Sequence, residues 1–173
     1  MSVELPNRSP LRVVPIVFIA LVLVALLWIG ATLTVSGGTM FAGKRPTNIG
    51  VQAGKLVPCP NTPNCVSSQS QDAQHKIDPL TYNSTQQEVL TNLKTVIESL
   101  PKTKIITETE NYLYAEFTSQ LMGFVDDVEF LIDDSAKVIH VRSASRLGQS
   151  DLGVNRKRIE TIRAKLDELK NKG

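Results

Sequence analysis

Cysteine, histidine and tryptophan are scarce: two, two and one in 173 residues, with aromatic side chains at 5%. So few cysteines exclude a disulfide-rich scaffold. They also exclude a structural zinc site of thiolates alone, which takes four ligands. His75 and His140 do not lie at metal-ligand spacing from the cysteines, so no metal site is expected. A surplus of one charge is missing too. Lys and Arg number 19, Asp and Glu 17, for a net of +2. Wholesale nucleic-acid binding needs a clear excess of cations, so no nucleic-acid partner is expected. Glycine-triplet and heptad compositions are absent, which excludes collagen and coiled coil. Long apolar runs are absent except for one, which excludes a multi-span membrane protein. No Gly-x-Ser-x-Gly elbow, P-loop, dinucleotide fingerprint or His-Glu-x-x-His occurs, so no cofactor is expected.

The one apolar run is Val13–Val35, 23 residues without a charge. As a helix it is ~35 Å long, enough to cross ~30 Å of hydrocarbon with some tilt. Pro15 falls in the first turn, where its missing N–H costs nothing, and Trp28 suits an interface. A cleaved signal peptide is the rival reading, with Arg8 and Arg12 as its basic region. Its apolar core would be only ~7–15 residues, shorter than this run. No lipobox follows. The expected organisation is a short tail (1–12), a transmembrane helix (13–35), a Gly-rich flexible linker (36–54) and an extracytoplasmic domain (55–173). Arg8 and Arg12 before the run and Lys44 and Arg45 after it leave the positive-inside count nearly tied. The short N-terminal tail favours a cytoplasmic N-terminus with the domain outside, in a periplasm or a thylakoid lumen. Membrane lipid is then a partner through the anchor.

Cys59-Pro60-Asn61-Thr62-Pro63-Asn64-Cys65 is a tight C-x5-C turn. A disulfide here contributes about 2 kcal/mol and needs an oxidising compartment. Two free thiols in a cytosolic turn are the other reading, and the disulfide is preferred. Further on, Ser84-Thr85-Gln86-Gln87 has capping-box form with Ser84 as N-cap. Val89, Leu90, Leu93, Val96, Ile97 and Leu100 then form one helical stripe, which Pro101 stops.

The period next changes to two. Lys104–Glu110 and Tyr112–Thr118 read as strands around Glu110-Asn111, pairing Ile106 with Ala115. Phe124–Ile132 and Lys137–Ser143 read as a second hairpin. Setting Phe130 opposite Ile139 also sets Val128 opposite Val141, Glu129 opposite His140 and Asp127 opposite Arg142. A final amphipathic helix starts at Asp151 or Asn155 and runs to Leu169, with Ile159, Ile162, Leu166 and Leu169 on one side. A further short strand fits Ile77–Tyr82. The expected fold is α+β: a four-stranded antiparallel meander, a helix before and a helix after it, both on one face. The other face would carry Tyr112, Tyr114, Glu116, Asp127, Glu129, His140 and Arg142.

Charge is segregated. Lys44–Ala136 holds 7 basic and 12 acidic residues, and Lys137–Gly173 holds 10 and 4. Arg156, Lys157 and Arg158 near the start of the last helix oppose its macrodipole at ~0.3–1 kcal/mol each, so an anion should offset them. Asp126 and Asp127 supply it internally, or an external anion does. The candidate binding surface is therefore Arg142, Arg146, Arg156 and Arg158 around Asp126 and Asp127.

Three strings carry a resemblance. They are CPNTPNCVSSQ from Cys59, preceded by Arg45-Pro46 and Gly50-Val51-x-x-Gly54-x-Leu56; Gly123–Phe130; and RSASRLGQSDLGVNRKRIETIR from Arg142 to Arg163. In this order they resemble the domain of unknown function 1499 family, over about Lys44 to Leu169. The resemblance implies one coherent domain of a family found in bacteria and photosynthetic lineages, including plastids. It implies no substrate, cofactor or catalytic residue.

An anchor, a spacer and a compact domain with a polar, Tyr-bearing sheet face suit a binding or assembly module for a membrane-protein partner or an anionic ligand. The alternative is a hydrolase using a serine (Ser67, Ser68, Ser143 or Ser145) with His75 or His140. Asp126 and Asp127 cannot serve as a paired acid and base there, because neighbours in a strand point to opposite faces.

Overall fold

The computed structural model describes residues 13–35 and 41–171. The chain divides into two compact units, Met1–Gly38 and Thr39–Gly173. In the first, helix α1 spans Val13–Val35. Its side chains are described at Pro15 and over 17–28, where all are exposed. Among the described residues, no helix is long and apolar enough to cross a membrane.

The second unit is α+β. The expected four-strand sheet has six: β3 (Cys65–Ser67), β4 (Leu80–Thr81), β5 (Thr103–Glu108), β6 (Tyr112–Thr118), β7 (Val125–Asp133) and β8 (Val138–Ser145). Their order is β3-β8-β7-β6-β5, and β4 also pairs with β8. All pairings are antiparallel. The two extra strands share the outer edge of β8: β3 pairs along Arg142–Ala144 and β4 along Val138–Ile139. β4 lies within the short strand expected at Ile77–Tyr82, whereas β3, three residues long, is too short to show an alternating pattern in sequence.

Helix α2 (Gln86–Glu98) buries Val89, Leu90, Leu93, Val96 and Ile97. Its N-cap is Thr85, not Ser84: Thr85 Oγ1 accepts the Glu88 N–H at 3.2 Å. The sequence holds two overlapping capping boxes, and the one ending in Glu88 puts a carboxylate in the first turn. Helix α3 (Val154–Lys170) buries Asn155, Ile159, Ile162 and Leu166. Both helices cover the sheet face that carries Leu113, Ala115, Phe117, Val128, Phe130, Ile132, Ile139 and Val141. Each such Leu, Val, Ile or Phe side chain, fully buried, stabilises by about 1.5–3 kcal/mol.

Two registers differ from expectation. Between β5 and β6, Thr107↔Tyr114 and Glu108↔Leu113 keep the two-residue turn, but a bulge then shifts the ladder so that Ile105, not Ile106, pairs with Ala115. Ile105 packs in the helix-side core and Ile106 against the opposite cluster. Between β7 and β8, Phe130 pairs with Val141, Val128 with Ser143 and Glu129 with Arg142. This is two residues from the expected register, so every side chain keeps its face. The turn decides it. Lys137 adopts φ 54°, and Asp133 Oδ1 accepts the Ser135 and Ala136 N–H groups, both at 3.1 Å. Asp133 then closes the hairpin opposite Val138.

The second sheet face is covered, not open. A strap of residues 41–60 lies along it. It includes a small hairpin of β1 (Val51–Gln52) and β2 (Lys55–Leu56), whose turn places Ala53 and Gly54 at φ 48° and 77°. Leu56 packs with Tyr112, Tyr114 and Leu131. Of the stretch read as a linker, 36–40 lies outside the described residues and 41–54 belongs to this strap. A disulfide joins Cys59 to Cys65, with Cα atoms 5.7 Å apart, and ties the strap's end to β3.

Candidate functional site

Between strap and sheet lies a buried ionic network. Glu129 is fully buried. Its Oε1 accepts from Tyr112 OH at 2.9 Å and from the Gly50 N–H at 2.6 Å, and its Oε2 from Arg142 Nη1 at 3.1 Å. Asp127 takes Arg146 through two guanidinium nitrogens, Nε to Oδ2 at 2.9 Å and Nη2 to Oδ1 at 2.6 Å, and Tyr114 OH at 2.5 Å. Glu116 is shared by Arg146 and Arg45, the latter at 2.6 Å. Burial works against the Glu116 charge, but the hydrogen bonds from Arg45 and Arg146 outweigh it and hold the carboxyl below its ordinary range. Burial first, then the neighbouring carboxylates, push the Tyr112 and Tyr114 hydroxyls far up.

One donor in this network is left over. Among the described residues, the buried Arg142 Nε has no hydrogen-bond acceptor. Arg142 is 7% exposed. It lines a cavity of about 350 Å³ together with Lys44, Ile49, Pro58, Asp127 and Arg146. The cations of this cavity come from the strap (Lys44) and from β8 and the residue after it (Arg142 and Arg146), and Pro58, Cys59 and Pro60 wall it.

The six residues selected from sequence do not form one surface. Arg142, Arg146 and Asp127 belong to the strap side. Asp126 and Arg158 pair on the helix side, where Arg158 Nη1 also reaches Ser143 Oγ at 3.0 Å and Asn155 Oδ1 at 2.5 Å. Its guanidinium lies 5.0 Å from the Phe117 ring centroid. Arg142 pairs with Glu129 in place of the expected Asp127, a consequence of the register. Arg156 stands apart, donating to the Gln74 carbonyl at 3.3 Å. Asp126 supplies an internal anion for the basic start of α3 through Arg158, as one of the two expected readings had it, and Asp151 adds a carboxylate at the helix's first amides. Its carboxylate accepts the Gly153 N–H at 3.1 Å and the Asn155 N–H at 2.7 Å. Sequence reasoning left out Glu129, Tyr112 and Tyr114 as site residues. The signal was present, since the expected second sheet face already carried all three beside Asp127.

Of the serine–histidine combinations, Ser68 and His140 come together, with Oγ 3.3 Å from Nδ1. Ser68 Oγ also accepts the Val141 N–H at 2.9 Å. His75 lies elsewhere, between Asp72 Oδ2 at 2.6 Å and the Thr62 carbonyl at 3.1 Å. Ser143 donates to Asn155 Oδ1 at 2.5 Å. Among the described residues, no three His, Cys, Asp or Glu side chains converge as a metal site.

No curated protein matches the chain significantly. The family model described as "Protein of unknown function (DUF1499)" matches residues 55–166. That span runs from β2 through the last buried turn of α3 and takes in both partners of the disulfide and all six arginines and aspartates weighed above, so the chain belongs to the DUF1499 family of proteins of unknown function.

Proposed function

We propose that the protein is a single-pass, membrane-anchored binding module whose domain lies outside the cytoplasm and holds an anionic group of a ligand or of a membrane-associated partner. The observation that carries the binding reading is the unmatched Arg142 Nε beside a cavity lined by Lys44 and Arg146. A buried donor without an acceptor costs about 1–3 kcal/mol, and an entering carboxylate or phosphate oxygen relieves it. Arginine's fork suits both groups. Support for the anchor is the uncharged 23-residue run, and support for the compartment is the disulfide.

Two measurements test this. Protease shaving of right-side-out and inverted vesicles reads the orientation, and a domain digested only in inverted vesicles refutes the extracytoplasmic placement. Thermal shift with inorganic phosphate reads the cavity. Phosphate raises Tm in the wild type and less in Lys44→Ala, whose side chain is exposed. Equal shifts in both proteins, or none, refute the anion site.

A second reading rests on the 3.3 Å contact of Ser68 with His140: a hydrolase with Ser68 as nucleophile and His140 as base. A serine-directed fluorophosphonate labels Ser68 if it holds, and an unlabelled wild-type protein counts against it.

A further inference from the structure

One end of the domain is apolar and open to solvent. The β6–β7 turn carries Leu121, 94% exposed, and Met122, 49% exposed. The connection from β8 to α3 carries Leu147 and Leu152, the latter also 94% exposed. The two loops meet around a cavity of about 260 Å³ lined by Phe124, Val125, Leu147, Leu152 and Val154. Scattered exposed leucines need no explanation, but several grouped at one end around an apolar hollow mark a contact surface.

The loops are built to hold these side chains out. Leu152 sits at φ 53°, a conformation that disfavours a branched side chain and ordinarily falls to glycine or asparagine. Its neighbours fix it there. Ser150 Oγ accepts the Leu152 N–H at 3.3 Å, and Asp151 takes the next free amides of the helix start. A strained leucine at a solvent-facing tip is a feature the fold retains at a cost. Lys102 Nζ meanwhile holds the Gln120 carbonyl at 2.9 Å, at the base of the Leu121 turn.

What covers this end follows from the chain. Phe41 stacks on Phe124, ring centroids 5.1 Å apart. Gly43 packs so closely that a Cβ there would come within 3.1 Å of Leu147 Cγ. The entry of the chain into the domain is therefore at the apolar end. Only residues 36–40 separate Phe41 from the last residue of the apolar run. In any arrangement of the two parts, so short a connection spans at most about 20 Å.

We infer that Leu121, Met122, Leu147 and Leu152 insert into the lipid surface beside the anchor, so that the domain rests on the bilayer by its apolar end. The inference rests on the membrane-anchored reading above. The exposed lysines Lys44 and Lys102 flank the leucines and meet the headgroups. Apolar side chains seated in this way reach ~5–10 Å into the headgroup–acyl boundary.

The chain's one tryptophan, Trp28, permits a test in the full-length protein. Wild type is reconstituted in phosphatidylcholine–phosphatidylglycerol vesicles with and without dibrominated acyl chains, which quench indole on contact. Leu152→Trp, Leu121→Trp and, as a control on the exposed face of α2, Thr91→Trp are each made in a Trp28→Phe background. All three sites are solvent-facing, so the fold tolerates them. Expected results are strong quenching of wild-type Trp28, strong quenching of the Leu152→Trp and Leu121→Trp variants, and none of the Thr91→Trp variant. Quenched Trp28 with unquenched loop variants overturns lipid seating and leaves the anchor standing. A loop variant with blue-shifted but unquenched emission also overturns it, in favour of a protein partner or a second copy. Unquenched Trp28 removes the anchor and this inference with it.

Discussion

Asp126 and Asp127 are neighbours in β7 and bind arginines on opposite faces of the sheet, Asp126 taking Arg158 on the helix side and Asp127 taking Arg146 on the strap side. Strand alternation imposes the split. Both carboxylates are nearly buried, at 8% and 3% side-chain exposure. A pair in that position is stable only when its remaining polar atoms are also bonded. Tyr114 does this for Asp127, and Ser143 with Asn155 for Arg158. The two pairs fix the start of β7 to α3 on the helix side and to the residue that follows β8 on the strap side.

Arg158→Ala should destabilise the domain by about 3–5 kcal/mol, because it leaves the Asp126 charge buried without a partner. Asp126→Ala in the same chain should restore part of the loss. Chemical denaturation of the two single variants and the double variant reads this. A single variant within ~0.5 kcal/mol of wild type, the range of ordinary surface changes, would remove the pair from the account of stability.

The strap depends on Glu129 through the Gly50 N–H and on Glu116 through Arg45. Glu129→Gln removes the charge that Arg142 faces and weakens the acceptor for Gly50. Trypsin should then cut after Lys55 much faster than in wild type, while an exposed control, Glu88→Gln, digests at the wild-type rate. Equal rates in all three proteins would show that the strap is held by other contacts.

How far the sequence discloses this arrangement depends on the kind of contact. The α2 stripe is legible because apolar burial has a period, and the partition of β6, β7 and β8 between two faces is legible for the same reason. The β7–β8 register is legible only to within two residues, since a slip of two preserves every face and the choice falls to Lys137 and Asp133 in the turn. That slip alone decides whether Arg142 meets Asp127 or Glu129. The strap is illegible as structure. Its Gly- and Pro-rich composition has no apolar period and reads as a spacer, while its attachments include a backbone N–H, one arginine, Leu56 and the disulfide. The apolar loop ends are equally silent, because Leu121, Leu147 and Leu152 gain their meaning only when two distant loops meet.

Reducing the Cys59–Cys65 disulfide should lower stability by about 2 kcal/mol, the chain-entropy value for so short a loop. The effect should extend to the start of α3. Asn64, next to Cys65, donates to the Gly148 carbonyl at 2.7 Å, and its own carbonyl accepts from Asn155 at 3.0 Å. Denaturation with and without reductant gives the first quantity. Hydrogen exchange at the amides of residues 153–157 gives the second. No change in exchange on reduction would confine the disulfide to its own loop.

All three tyrosines of the chain, Tyr82, Tyr112 and Tyr114, should stay un-ionised well above the ordinary tyrosine range. Burial raises each hydroxyl, and each donates to a carboxylate, Asp134, Glu129 and Asp127 respectively. Tyr82 is pushed up to about 12 and the other two further. The unfolded chain releases these protons near pH ~10. The folded state therefore holds more protons above that point, and the stability these groups contribute is intact below pH ~10 and lost as pH rises beyond it. Tyrosinate absorbance should be nearly flat through pH ~11, then rise in one step together with the loss of far-ultraviolet circular dichroism. Tyr112→Phe should remove one third of the step and leave its midpoint set by unfolding. A gradual rise centred near pH ~10, with the dichroism unchanged, would mean that the hydroxyls titrate freely in the folded protein and that the buried network between strap and sheet is open to water.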